Sequence, residues 1–422
     1  MSNPPEPDLS TLRVDGTRLW ERLEALGEIG AVLGPNGERG VARLALSDED
    51  RAGRDLVVAW MQDLGMSVSI DGIGNVVATR SGRDPSLAPV MTGSHIDTVR
   101  TGGRFDGNLG VLAGLEVVET LAAHGITPDR AIQVAFFTDE EGARVPPDML
   151  GSLVYVGGLG LESALDARAA DGARLGDELN RIGYAGATPC PAASFPAAYV
   201  ELHIEQGPVL DAEGITIGAV ENLQGISWQE LTLTGQSNHA GTTPMRLRHD
   251  AGYAAAAIGH FLRGLTNEMG GNQVATVGAL TLHPNLINVI PARAVMTVDL
   301  RNTDETMLQQ AEQALNAFLA TLAKEEGVTI TSRRLARFEP VVFDAGVAAL
   351  IARQAQALGH SCRPMTSGAG HDAQMLARLC PTAMVFVPSV KGISHNPAEH
   401  TAPEHLAAGA DVLLRTLVAL GA

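Results

Sequence analysis

Two apolar runs of strand length end on residues that bind protons or metals, and a helical stretch separates them. The first, "APVMTGSHIDTV", carries His95 and Asp97 just past its apolar part, and the second, "DRAIQVAFFTDEEG", ends on Asp139, Glu140 and Glu141. Between them, "GNLGVLAGLEVVETLAAHG" has an apolar stripe and stops at glycine, as a helix does. Strands alternating with helices imply an α/β sheet covered on both faces. In such sheets the functional groups gather beyond the carboxyl ends of the strands. Three neighbouring carboxylates at a strand end cost free energy unless positive charge sits among them. For a lone acidic triplet a solvated turn is the simpler reading, so the rest of the chain has to decide.

The flanking segments fit the same class. "VDGTRLWERLEALGEIG" spaces Leu19, Leu23 and Leu26 helically, and "SDEDRAGRDLVVAWMQDLG" reads as a helix capped by Ser47 and stopped by Gly65. "SVSIDGIGNVVATR" reads as a hairpin turning at Asp71-Gly72. From about residue 219 the texture changes to alternating strands with two amphipathic helices, "HDAGYAAAAIGHFLRGL" and "TMLQQAEQALNAFLATLAKEEG". That is the pattern of an α+β sandwich of domain size. After about residue 334 the α/β character returns. The expected organisation is an α/β domain with a mixed central sheet over 1–218 and 334–422, interrupted by an inserted α+β unit over 219–333. The Pro-rich first ten residues read as a disordered lead-in.

Composition excludes some classes of partner. With 30 basic and 48 acidic residues, a formal net charge of −18, the chain suits neither nucleic acid nor an anionic membrane surface. No apolar stretch approaches the roughly 20 residues that span a bilayer. The opening "MSNPPEPDLS" lacks the basic and apolar regions of a signal peptide. Cys190, Cys362 and Cys380 have no C-x-x-C spacing and read as free thiols, so a cytoplasmic location is expected.

Four segments together offer imidazoles and carboxylates in the mixture a divalent-metal site uses. They are "GSHIDTVRTGGRFDGNLG" (His95, Asp97, Asp106), "FTDEEGAR" (Glu140, Glu141), "ELHIEQGP" (His203, Glu205) and "GISHNPAEH" (His395, His400). Singly, each is an ordinary turn or hydrogen-bonded group. In this order, with "GQSNHAGTTPM", they resemble the zinc-dependent aminoacylase and carboxypeptidase-type amidohydrolases (the M20 peptidase superfamily). The resemblance is strongest to the hydantoinase/carbamoylase branch, which includes N-carbamoyl-L-amino acid hydrolases, β-ureidopropionases and allantoate amidohydrolases. It runs from about residue 15 to the end.

The resemblance implies a site with assigned roles. His95 and His203 would be terminal ligands of one ion, Asp106 would bridge two ions, and Glu141 with His395 would hold the second. Asp97 would orient a ligating imidazole, and the Asp106–Gly107 peptide would be cis. Glu140 would be the general base. The inserted domain would act as a lid and as the dimerisation surface of a homodimer. Its His239, beside Asn238, would stabilise the oxyanion, often in the partner's site, while Asn288 and Arg301 would hold the substrate carboxylate. Gln206 would lie near the ureido group. Gly370 and His371 of "SGAGHDA" would form a second carboxylate anchor. Two divalent ions per subunit are implied, zinc first, with manganese, cobalt or nickel suiting the same ligands. His260, His283, His360, His400 and His405 fit no such role.

Two departures bear on substrate. Position 145 is Val where many relatives carry an aromatic residue, and residues 226–229 are Ile-Ser-Trp-Gln where allantoate-processing relatives tend to place a base. The expected reaction is hydrolysis of an N-carbamoyl-L-amino acid. Allantoate, β-ureidopropionate, an N-acyl amino acid or a dipeptide is the alternative on the same machinery. A non-catalytic metal-binding dimer is the alternative of another class, opposed by the presence of Glu140.

Overall fold

The computed structural model describes residues 11–422; the expected lead-in over 1–10 lies outside the described residues. The chain divides into two compact units. One is the described part of Met1–Glu221 together with Phe343–Ala422, and the other is Asn222–Val342.

The first unit is built on a mixed sheet. Its centre is four parallel strands side by side, Thr382–Val387, Ala198–Ile204, Val90–His95 and Ile132–Phe137. Antiparallel strands extend both sides, Val76–Arg80 beyond Ile132–Phe137 and Ile217–Leu223 beyond Thr382–Val387. Every residue of Val90–His95, Ala198–Ile204 and Thr382–Val387 is buried, which is why these strands read as continuous rather than alternating sequence. Helix Asn108–Ala123 packs against the Val90–His95 strand and is in turn covered by Pro403–Leu420. The capping signal at Ser47 holds, its side chain accepting from the Asp50 amide, and the structure adds a cap at Asp15, which accepts from the amides of Thr17 and Arg18.

The second unit is one antiparallel sheet with two helices on one face. Strand order is Val274–His283, Arg293–Asn302, Gly225–Thr234, Thr329–Phe338. Burial alternates almost perfectly along Arg293–Asn302, with Ala294, Met296, Val298 and Leu300 turned into the core. Helices Ala251–Met269 and Glu305–Glu326 fill that core with Ile258, Leu262, Leu308 and Leu315, and Phe261 stacks flat on Phe318 at 4.1 Å. The sequence reading ended this segment at 333, whereas the last strand runs through to Phe338 and the unit to Val342. The reason is exposure: this edge strand shows solvent at most positions, so it lacks the apolar alternation that marks a strand in sequence.

Among the described residues no helix is long and apolar enough to cross a membrane. Leu315 is fully buried between helix and sheet, so Leu315→Ala is expected to cost about 2–5 kcal/mol of stability. Denaturant unfolding measures this, and a loss below about 1 kcal/mol would mean this core repacks freely.

Candidate metal centre

The parallel strands finish at one level. His95 pairs with Phe137, and Phe386 and Val387 pair with His203 and Ile204. The segments leaving these ends therefore deliver His95 and Asp97, the Thr138–Glu141 turn, His203 to Gln206, and the 388–400 loop to one place. Asp106 joins them from the loop before helix Asn108–Ala123, whose first turn packs behind His95. A Cβ on Gly107 would lie 2.4 Å from the His95 ring, so only glycine fits there, at φ 65°. The cis bonds among the described residues precede Pro147, Pro191 and Pro284, so the expected cis peptide at Asp106–Gly107 is not present.

Asp106 stands between two groups of ligand-type atoms. Its Oδ1 lies 3.2 Å from His203 Nε2 and 3.6 Å from His95 Nε2, and its Oδ2 lies 3.4 Å from His395 Nε2. His395 Nε2 is also 3.3 Å from Glu141 Oε2. His95, Asp106 and His203 thus form one set, and Asp106, Glu141 and His395 another, each with its atoms within 4.8 Å of one another. His95 Nδ1 donates to the Asp97 carbonyl at 2.9 Å and His203 Nδ1 to the Ile204 carbonyl at 2.8 Å. A carbonyl only accepts, so both rings keep a proton on Nδ1 and turn Nε2 to the site, where that of His203 lies 3.1 Å from the Gly107 amide nitrogen.

The carboxylate of Asp97 does different work from that expected. It accepts the amides of Glu140 at 3.3 Å and Glu141 at 3.4 Å, while its main-chain oxygen orients His95. Asp97 thereby fixes the turn that points two consecutive glutamates apart. Glu141 faces His395, and Glu140 lies with Oε2 3.4 Å from His95 Nε2. Gln206, in a left-handed backbone at φ 56°, donates to Asp106 Oδ2 at 2.7 Å and leaves its own buried Oε1 without a partner. Glu205 is not part of the cluster; its carboxylate accepts the amides of Val209 and Leu210.

A third set, Glu201, His203 and His371, is also close enough to hold an ion. Glu201 is already saturated, by Ser94 at 2.7 Å, the Ala373 amide at 2.8 Å and Tyr199 at 3.2 Å. His371 is buried edge-on against His203 at 4.5 Å with Nε2 on Ser367 Oγ, and burial holds its pKa well below the usual imidazole value. It therefore buttresses a ligand as a neutral ring and presents no cation to a substrate, contrary to the anchor expected. Gly370 beside it is closely packed: a Cβ there would lie 3.0 Å from the end of the Met149 side chain.

The electrostatics of the cluster are those of a cation site. Burial opposes charge on His95, but Glu140, Asp106 and Asp97 outweigh it and raise its pKa well above the usual value. Hydrogen bonding to Asp106 raises His395 to about 9. Burial also works against Asp106, yet its bonds to His203, His395 and His95 hold it well below the carboxylate range. Burial pushes Glu140 well up, and burial with Asp106 pushes Glu141 to about 8. The shifts on His95, Glu140 and Glu141 each favour positive charge among the buried carboxylates. Three imidazoles, carboxylates and an orphaned amide oxygen fit a divalent ion by both geometry and donor type.

The remaining candidates belong to the other unit. Main-chain pairing of 238–240 with 288–290 sets His239 opposite Val289, with the Ala240 amide donating to the Asn288 carbonyl. His239 is exposed, and its Nδ1 accepts the amides of Gly241 at 3.0 Å and Thr242 at 3.2 Å, so Nε2 carries the proton. Arg301 pairs with Asp299 at 2.9 Å and lies over the Trp228 ring at 5.7 Å.

A fold of this kind with a paired His/carboxylate centre at its strand ends is that of a metal-dependent hydrolase. The sequence pattern of peptidase family M20/M25/M40 matches residues 91–419, and the chain belongs to that family. It is 41% identical over 406 residues to an N-carbamoyl-L-amino-acid amidohydrolase of Rhizobium meliloti, covering 96% of each chain. An allantoate amidohydrolase of Bacillus subtilis is 34% identical over 95% of this chain and 97% of its own. The crystal structure of a hydantoinase/carbamoylase family amidase from Burkholderia multivorans superposes with a TM-score of 0.93, at 45% identity, over 97% of this chain and 99% of that one.

Sequence reasoning passed over Glu399, Ser394 and Glu201, which touch or back the ligands. Glu399 sits inside the quoted "SHNPAEH", where the two histidines drew the reading. Metal uptake must displace the proton that His395 holds below a pH of about 9. Affinity is therefore expected to fall as pH falls, with proton release on binding. Calorimetric zinc titration in buffers of different ionisation enthalpy measures this, and pH-independent affinity would contradict the assignment.

Proposed function

We propose that the protein hydrolyses the ureido C–N bond of N-carbamoyl-L-amino acids, giving the L-amino acid, carbon dioxide and ammonia. The observation that carries this is the placement of Asp106, one oxygen toward each ligand set, with Glu140 beside it. His95 and His203 would hold one ion, Glu141 and His395 the other, with Asp106 between them. Zinc suits the donors first, and manganese, cobalt or nickel are compatible. When bound, such ions polarise the ureido carbonyl and make water more acidic.

The chain's own residues do the rest. Glu140 takes a proton from the attacking water and returns it to the leaving nitrogen. Gln206 offers its unpartnered Oε1 to a ureido N–H. His239 donates from Nε2 to the developing oxyanion, which its fixed tautomer suits. Asn288 and the Arg301 guanidinium receive the substrate carboxylate. Residues 226–229 provide no base for a second polar arm, which favours a carbamoyl amino acid over allantoate.

The Asn222–Val342 unit is the proposed dimerisation surface. Its outer strand Val274–His283 exposes Val274 and Leu280, and an apolar groove of 660 Å³ runs along helix Ala251–Met269, lined by Ala257, His260, Phe261 and Phe318. Three free cysteines suit a reducing cytoplasm.

Glu140→Gln is expected to lower turnover about 10²–10⁴-fold while metal content stays at the wild-type level. Ammonia release from N-carbamoyl amino acids, assayed beside allantoate and N-acetyl amino acids, tests the substrate. No ammonia from any carbamoyl compound would sink that reading. Arg301→Ala should raise KM chiefly for substrates bearing a carboxylate, and an equal rise with a carboxylate-free analogue would remove Arg301 from the site.

A further inference from the structure

One buried carboxylate ties the Asp106 loop to the His395 loop. Glu399 is 3% exposed. Its Oε1 accepts the amides of Phe105 at 3.0 Å and Asp106 at 3.2 Å. Its Oε2 accepts the Ser394 hydroxyl at 3.1 Å, and that hydroxyl lies equally 3.1 Å from Asp106 Oδ2. Room for this arrangement is made at Gly103, where a Cβ would come within 2.0 Å of Glu399 Oε1. The result is a closed ring: main chain of Asp106, Glu399, Ser394, and back to the Asp106 side chain.

A second carboxyl group set directly behind Asp106 is what needs explaining. A neutral amide oxygen could accept the two backbone N–H groups as well. A dry carboxylate directly behind another carboxylate is costly without positive charge nearby. A cation on the far side of Asp106 would offset part of that cost.

We propose that Glu399 is a positioning residue for the metal centre, fixing the Asp106 main chain and, through Ser394, the start of the His395 loop. Asp106 Oδ2 and His395 Nε2 then converge on one point. This rests on the two-ion reading of the site and adds to it a residue that touches neither ion nor substrate.

The test is zinc titration of chelator-stripped protein by calorimetry, with metal-free melting temperature recorded for each variant. Glu399→Gln keeps an oxygen for the two amides but loses the acceptor for Ser394. It should melt near wild type and bind zinc about 10–100-fold more weakly. Ser394→Ala, which leaves the amide contacts untouched, should weaken zinc by a smaller factor. Unchanged zinc affinity in folded Glu399→Gln overturns the proposal. If that variant does not fold, unchanged affinity in Ser394→Ala overturns it alone. Wild-type protein that takes up no zinc would overturn the metal-centre reading and this proposal together, whereas normal uptake with indifferent variants would remove Glu399 only.

Discussion

The carboxylate of Asp106 is the point on which the site depends. Three imidazoles converge on its two oxygens, His95 and His203 on one and His395 on the other. Each arrives from a different strand end, so the sheet register has to hold within a fraction of an ångström for the cluster to exist. The burial that surrounds the cluster is the cost of that precision. It drives Glu140 and Glu141 up and works against charge on His95, where Glu140, Asp106 and Asp97 outweigh it.

Around this point the chain builds supports with separate tasks. Asp97 holds the Glu140–Glu141 turn by its carboxylate and His95 by its carbonyl. Arg43, fully buried, donates to the Ile96 carbonyl and to Asn108 Oδ1, joining the loop after His95 to the helix after Asp106. His371 and Glu201 stand behind His203. These residues meet no solvent, and their hydrogen bonds are nearly all spent on the protein itself, which suits holding ligands rather than reacting.

Much of this was legible in the chain. The strand-end positions of His95 and Glu140 follow from apolar runs that stop at polar residues, and the helix cap at Ser47 follows from local chemistry. Other parts were hidden for physical reasons. Glu399 is 293 residues from Asp106, and no local pattern marks a carboxylate whose partners are distant amides. The last strand of the inserted unit is an exposed edge, so apolar periodicity did not show where it ends. His371 looked like an anchor at a helix start, but its ring is turned inward onto His203.

By itself the sequence determined the kinds of element, the interruption of one α/β unit by an α+β unit, and the family to which the ordered set of motifs belongs. These depend on periodicity, caps and motif composition, all of which are local along the chain. Only the tertiary structure decided which oxygen of Asp106 serves which histidine, which ring nitrogen faces the site, and that Glu399 and Ser394 close the ring behind it. Those outcomes depend on distances between segments up to 294 residues apart, set by strand register and buried hydrogen bonds that no single stretch of sequence contains.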